Sequence, residues 1–162
     1  MSSTPPRLVA ELSFPAARYV PGITHEVPRP TPLELPDRLD MKSWPRCRPY
    51  LFGIDLFNHG YYWEAHEVWE GLWNQAGRTG PQADFLKALI QLGAAGVKHV
   101  QGHDAGRRSN ASRARHIFSE LQTILGANFL GLALKELAQL AESCAEQGWP
   151  EPPPLLSPNQ RG

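Results

Sequence analysis

The chain has 162 residues, 41% of them hydrophobic, which fits a single domain. Sixteen basic and sixteen acidic side chains cancel, where a dedicated nucleic-acid binder would carry a basic excess. No apolar run approaches the roughly 18 to 20 residues of a membrane span. The N-terminus shows no signal-peptide-like apolar stretch, so the expectation is a cytoplasmic protein that binds neither nucleic acid nor membrane. Two cysteines, Cys47 and Cys144, are too few for a disulfide framework and lack metal-ligand spacing, and both are read as free thiols.

The sixteen prolines divide the chain. Ten lie between Pro5 and Pro49, one is Pro81, and five lie between Pro150 and Pro158. Proline breaks helix interiors, so residues 1–48 are expected as a proline-rich extended arm, 49–147 as a helical bundle and 148–162 as a flexible tail. The arm interleaves Leu8, Val9, Phe14, Tyr19, Val20 and Trp44 among its prolines, more apolar surface than a disordered segment usually carries, and part of it can pack along the domain.

Pro49 suits the first turn of a helix that runs to Asn58-His59-Gly60. Tyr62, Ala65, Val68, Trp69, Leu72 and Trp73 recur at three-and-four spacing and predict a second amphipathic helix over 61–76. Pro81 opens a third, with Phe85, Leu89, Leu92, Gly96 and Val100 on one face, ending at Gly102. Asp104 is an N-cap candidate for a fourth, whose seam is Ala111, Ala114, Phe118, Leu121 and Leu125 and which Gly126 stops. Asn128 is the cap candidate of a fifth. No segment alternates over strand length, so the fold class is all-α, a compact bundle of about five antiparallel helices.

Polar information is densest on the second helix, in Glu64-Ala65-His66-Glu67-Val68-Trp69-Glu70 and then Trp73. His66 and Glu70 sit one turn apart beside the apolar stripe, flanked by Trp63 and Trp73, a half-buried setting where polar groups need partners or a function. Glu67 falls opposite the stripe and Glu64 on its far flank, positions that suit a solvated face. The string His-Glu-x-x-Glu resembles the His-Glu-x-x-His zinc motif with Glu70 in place of the second histidine and Glu67 at the general-base position. His66 and Glu70 can hold two positions on a divalent metal, with His99 of the third helix as third ligand. Without a metal, Glu70 can orient His66 as a general base. A third reading makes the pair structural. A di-iron carboxylate bundle needs Glu-x-x-His pairs, and none exists: Trp63, Gly96, Val100 and Arg113 stand three before His66, His99, His103 and His116. Arg107, Arg108, Arg113 and Arg115 form a basic cluster near the start of the fourth helix, which suits an anion or a solvated face.

The run Leu56-Phe57-Asn58-His59-Gly60-Tyr61-Tyr62-Trp63-Glu64-Ala65-His66-Glu67-Val68-Trp69-Glu70-Gly71-Leu72-Trp73 resembles the signature of the bacterial and archaeal family catalogued as domain of unknown function 309. Phe85 to Ala95, through His99, resembles its second block, with Lys87-Ala88-Leu89-Ile90-Gln91 where Gln-Gly-Leu-Ile-Gln is usual. The resemblance implies a small all-helical protein with characteristic polar positions at Asn58, Glu64, His66, Glu67, Glu70, Gln91 and His99, and implies no reaction.

Two functions follow as expectations. In the first, His66, Glu70, Gln91 and His99 form a polar pocket against Trp63, Trp69 and Trp73, joined by Asn58 and Glu64 through the resemblance, that binds a small ligand or metal with hydrolytic chemistry. In the second, the cluster is structural in a non-enzymatic interaction module, and the arm binds a protein partner or a second copy. Gly60-Tyr61-Tyr62-Trp63 is similar to one step of a tetratricopeptide hairpin, although no 34-residue period supports a repeat array.

Overall fold

The computed structural model describes residues 4–25 and 39–159. Five helices follow one another: α1 (Arg48–Asn58), α2 (Tyr62–Gln75), α3 (Pro81–Val100), α4 (Asp104–Leu125) and α5 (Leu134–Glu146), with a 3-10 turn at Trp44–Arg46 before α1. Each packs chiefly against the next in the chain, the arrangement that short connections favour. Prolines start α1 and α3, where a missing N–H costs nothing. Gly60, Gly77, Gly102 and Gly126 take positive φ in the loops that follow α1 to α4, a conformation that glycine adopts without penalty.

Helix periodicity decides what is buried. Every residue from Pro49 to Phe57 is buried in α1. The core gathers Tyr50, Phe57, Trp69, Phe85, Leu89, Leu92 and Phe118. Two close approaches set the spacing of the first three helices. The Trp69 indole occupies the space that a Cβ on Gly53 would need, and the Tyr62 ring lies 2.5 Å from the corresponding point on Gly96. Both cysteines are free and buried. No helix among the described residues is long and apolar enough to cross a membrane.

The structure corrects two helix starts. His103, not Asp104, is the N-cap of α4: its Nδ1 accepts the Gly106 N–H at 2.9 Å, and Asp104 is the first helical residue. Asn128 does not cap α5. Residues 128–133 form a minimal antiparallel hairpin, Asn128–Phe129 paired with Leu132–Ala133. Leu130 and Gly131 turn it with φ of 47° and 83°, the two positive values of the tight turn that matches strand twist. Tyr50 locks the turn by donating its hydroxyl to Leu130 O at 2.8 Å.

Both proline-rich ends lie on the bundle where they are described. The arm buries Val9, Val20 and Leu39. The segment from Gly148, expected to fray, instead buries Leu156 and donates Asn159 N–H to Gly131 O at 2.7 Å. Backbone groups of the body and tail thus find partners that the proline-rich sequence could not supply locally.

Candidate functional site

The α1–α2 junction carries most of the polar positions singled out in the sequence, and the structure gives several of them definite partners. Asn58, in the last turn of α1, donates Nδ2–H to Leu156 O at 2.8 Å and accepts Leu156 N–H at Oδ1 at 2.7 Å. It clamps the tail. Glu64 is turned away from the apolar stripe, as helix geometry requires, yet it is half-buried because the arm covers it: Oε2 accepts the Tyr19 N–H at 2.9 Å. Burial raises the Glu64 carboxyl above its ordinary range, the Tyr19 N–H draws it back, and the nearby Glu67 charge raises it further. Glu67 itself is half-buried.

His66 and Glu70 meet as expected, with Nε2 and Oε2 3.3 Å apart and side chains 21% and 48% exposed. The His66 ring lies 5.2 Å from that of Trp63, which meets Tyr19 of the arm edge-on at 5.4 Å. His66 packs its Cβ over Gly93 of α3, so the small residues there serve helix approach. Glu64 and His66 stand about 160° apart around α2, on opposite flanks.

The metal set does not assemble. His99, whose ring stacks on Trp149 of the tail at 5.5 Å and 15°, sits about 9 Å further along α3 than Gly93, where His66 packs. Among the described residues no group of three or more His, Cys, Asp or Glu side chains is placed to hold a metal ion. Burial, and then the Arg107 charge, lower the His99 pKa.

The tryptophans divide in the same way. Trp69 is fully buried and belongs to the core against Gly53 and Phe57, not to a pocket wall. Trp63 and Trp73 are part-buried, and Arg78 lies over the Trp73 ring at 5.2 Å. Gln91 is half-buried on α3. The buried atoms of this region that find no hydrogen-bond partner among the described residues include His66 Nδ1, Trp69 Nε1, Trp73 Nε1 and Gln91 Oε1. The half-exposed edge of α2 therefore comprises Trp63, His66, Glu70 and Trp73.

Four residues outside the expected site matter as much. Asp55, with no exposed surface, accepts Arg7 Nε at 3.0 Å, Leu8 N at 2.8 Å and Val9 N at 2.9 Å. Its signal in the sequence is a lone carboxylate inside the otherwise apolar run Tyr50 to Phe57. Arg107, drawn from the basic cluster, is buried and donates to Cys144 O and Ala145 O at the end of α5, where a cation suits the helix dipole. Arg108, Arg113 and Arg115 are exposed. Tyr62 accepts Trp149 Nε1–H at 3.1 Å. Nothing local in the sequence marks these last contacts.

Residues 50–110, from α1 into the start of α4, match the family described as Domain of unknown function (DUF309), in agreement with the resemblance of the two sequence blocks. No curated protein matches the chain.

Proposed function

From a chain whose residues 50–110 match the family described as DUF309, we propose that it is a non-enzymatic helical interaction module whose polar signature is mainly structural. The observation that carries this reading is the employment of Asn58 and Glu64: each uses its side chain to hold backbone of a distant terminal segment, Leu156 and Tyr19 respectively. Trp69, the largest fully buried side chain of the signature, is core. A surface left for a protein partner is the α2 edge of Trp63, His66, Glu70 and Trp73, where aromatic and charged groups stand together as they do in interface centres. A cytoplasmic location goes with this reading.

One observation favours a small-ligand reading of the same edge. His66 Nδ1 and Trp73 Nε1 are buried without partners among the described residues, and a polar molecule could satisfy both. A His66→Ala variant separates the two, read by thermal denaturation together with elemental analysis and native mass spectrometry of untagged wild-type protein. The module reading expects a lowered melting temperature and no stoichiometric metal or small molecule in the wild type. Unchanged stability with loss of a bound species overturns it.

A further inference from the structure

The arm lies in a groove whose walls come from α1, α2 and the end of α3. Asp55 at one end takes three donors, and all three come from the arm: the Arg7 guanidinium and the consecutive Leu8 and Val9 N–H groups. Midway, the Phe14 ring sits 6.1 Å from Phe52, 4.9 Å from His59 and 4.9 Å from Tyr61. At the far end Glu64 takes the Tyr19 N–H at 2.9 Å, and Gln101 Nε2 donates to Pro21 O at 2.9 Å. A buried carboxylate whose partners all arrive on one separate segment is the chemistry of a recognition site, because removing that segment leaves the charge without compensation. The groove also has capacity in reserve: His59 Nε2 and Glu64 Oε1 are buried there without partners among the described residues.

Between the described arm and Leu39 run residues 26–38. Thirteen residues reach at most about 43 to 47 Å. A 162-residue chain has a radius of gyration of about 15 Å and so a diameter near 40 Å. That contour length exceeds the diameter of one copy. An arm arriving from a second copy presents the same guanidinium, N–H pair and aromatic ring to the same wall, so exchange sacrifices none of these contacts.

We propose that the groove running from Asp55 past Phe52, His59 and Tyr61 to Glu64 is an interaction site that takes the Arg7–Tyr19 arm of a second copy when its own arm is displaced. The proposal is independent of the α2 edge, since its test leaves His66 and Glu70 untouched.

Complementary full-length variants provide the test. Arg7→Ala impairs the arm and keeps the groove, and Asp55→Asn impairs the groove and keeps the arm. Each alone should run as the 18.0 kDa chain in size-exclusion chromatography with light scattering, and their equimolar mixture at about 100 μM should show a species of twice that mass. A mixture that stays monomeric, with both variants folded by circular dichroism, overturns the proposal. If Asp55→Asn does not fold, a fluorescent synthetic peptide of residues 4–22 is titrated into full-length Arg7→Ala and wild type. Because the tethered wild-type arm competes at an effective concentration on the order of mM, the variant should bind at least tenfold more tightly. Equal affinities, or no binding to the variant, overturn the proposal.

Discussion

Asn58 holds Leu156 by both ends of its amide, donating to the carbonyl at 2.8 Å and accepting from the N–H at 2.7 Å. The side chain acts as one residue of a β-bridge for a tail that has no strand beside it. Asn58→Ala removes both bonds and leaves buried backbone groups unpaired, at about 1 to 3 kcal/mol. Urea denaturation should show that loss, and limited proteolysis should cut the tail after Trp149 faster than in wild type. Asn58→Asp keeps the acceptor but faces Leu156 O with a second one, and should fall on the same side.

Gly53 and Gly71 are both helical glycines, with opposite expected responses to alanine. At Gly53 the new methyl would run into the fully buried Trp69 indole, so Gly53→Ala should cost about 1 to 3 kcal/mol. At Gly71 a Cβ meets nothing within 4 Å, and Gly71→Ala should stabilise by up to about 1 kcal/mol. Thermal melts of the two variants side by side check the contrast.

Glu64 sets a pH dependence whose sign follows from its raised pKa. The folded chain favours the protonated carboxyl, so between the ordinary glutamate range and the elevated value it binds more protons than the unfolded chain. Stability is therefore fully present below that window and falls as pH rises through it. Glu64→Gln keeps an acceptor for Tyr19 and removes the charge. Its stability should be flatter than wild type across the window and at least equal to it at pH 7, read by denaturation at successive pH values.

The helices were legible because their signals are local. Pro49 and Pro81 mark starts, and the spacing from Tyr62 to Trp73 marks a buried face, all within a few residues of one another. The His66–Glu70 pair was legible for the same reason, being one helical turn apart. The surroundings of Glu64 and Asn58 were not, because their partners Tyr19 and Leu156 lie 45 and 98 residues away, and a helical wheel has no term for a segment that folds back over it. His99 was misassigned on the same ground: its neighbour is Trp149, beyond the fifth helix. Asp55 was readable in principle, since a carboxylate inside a fully apolar run must find a donor.

Arg107 closes the end of α5 from α4, its guanidinium donating to Cys144 O and Ala145 O with Asp104 Oδ1 3.7 Å from its Nε. Arg107→Met fills the space and strands those carbonyls, which should cost about 1 to 3 kcal/mol by urea denaturation. Arg107→Lys should not restore wild-type stability, because a single ammonium cannot both meet the Cys144 and Ala145 carbonyls, as Nη1 does, and stand beside Asp104, as Nε does.

Burial pushes the Cys144 thiol up to about 12 and raises that of Cys47 as well. Reactivity follows the thiolate fraction, so neither cysteine should react with a thiol-specific reagent at pH 8 in the native protein. Both should react fully in denaturant, as a colorimetric thiol assay would show.

The clamps at Asp55 and Asn58 also bear on how the chain folds and persists. Helices that pack on their neighbours in the chain make contacts of short sequence separation, which form early, whereas these clamps close loops of 46 to 98 residues. Late-forming contacts leave the folding rate nearly untouched and act on the rate of opening. The two terminal segments thus govern how long the folded molecule lasts, while the five helices govern how fast it is made.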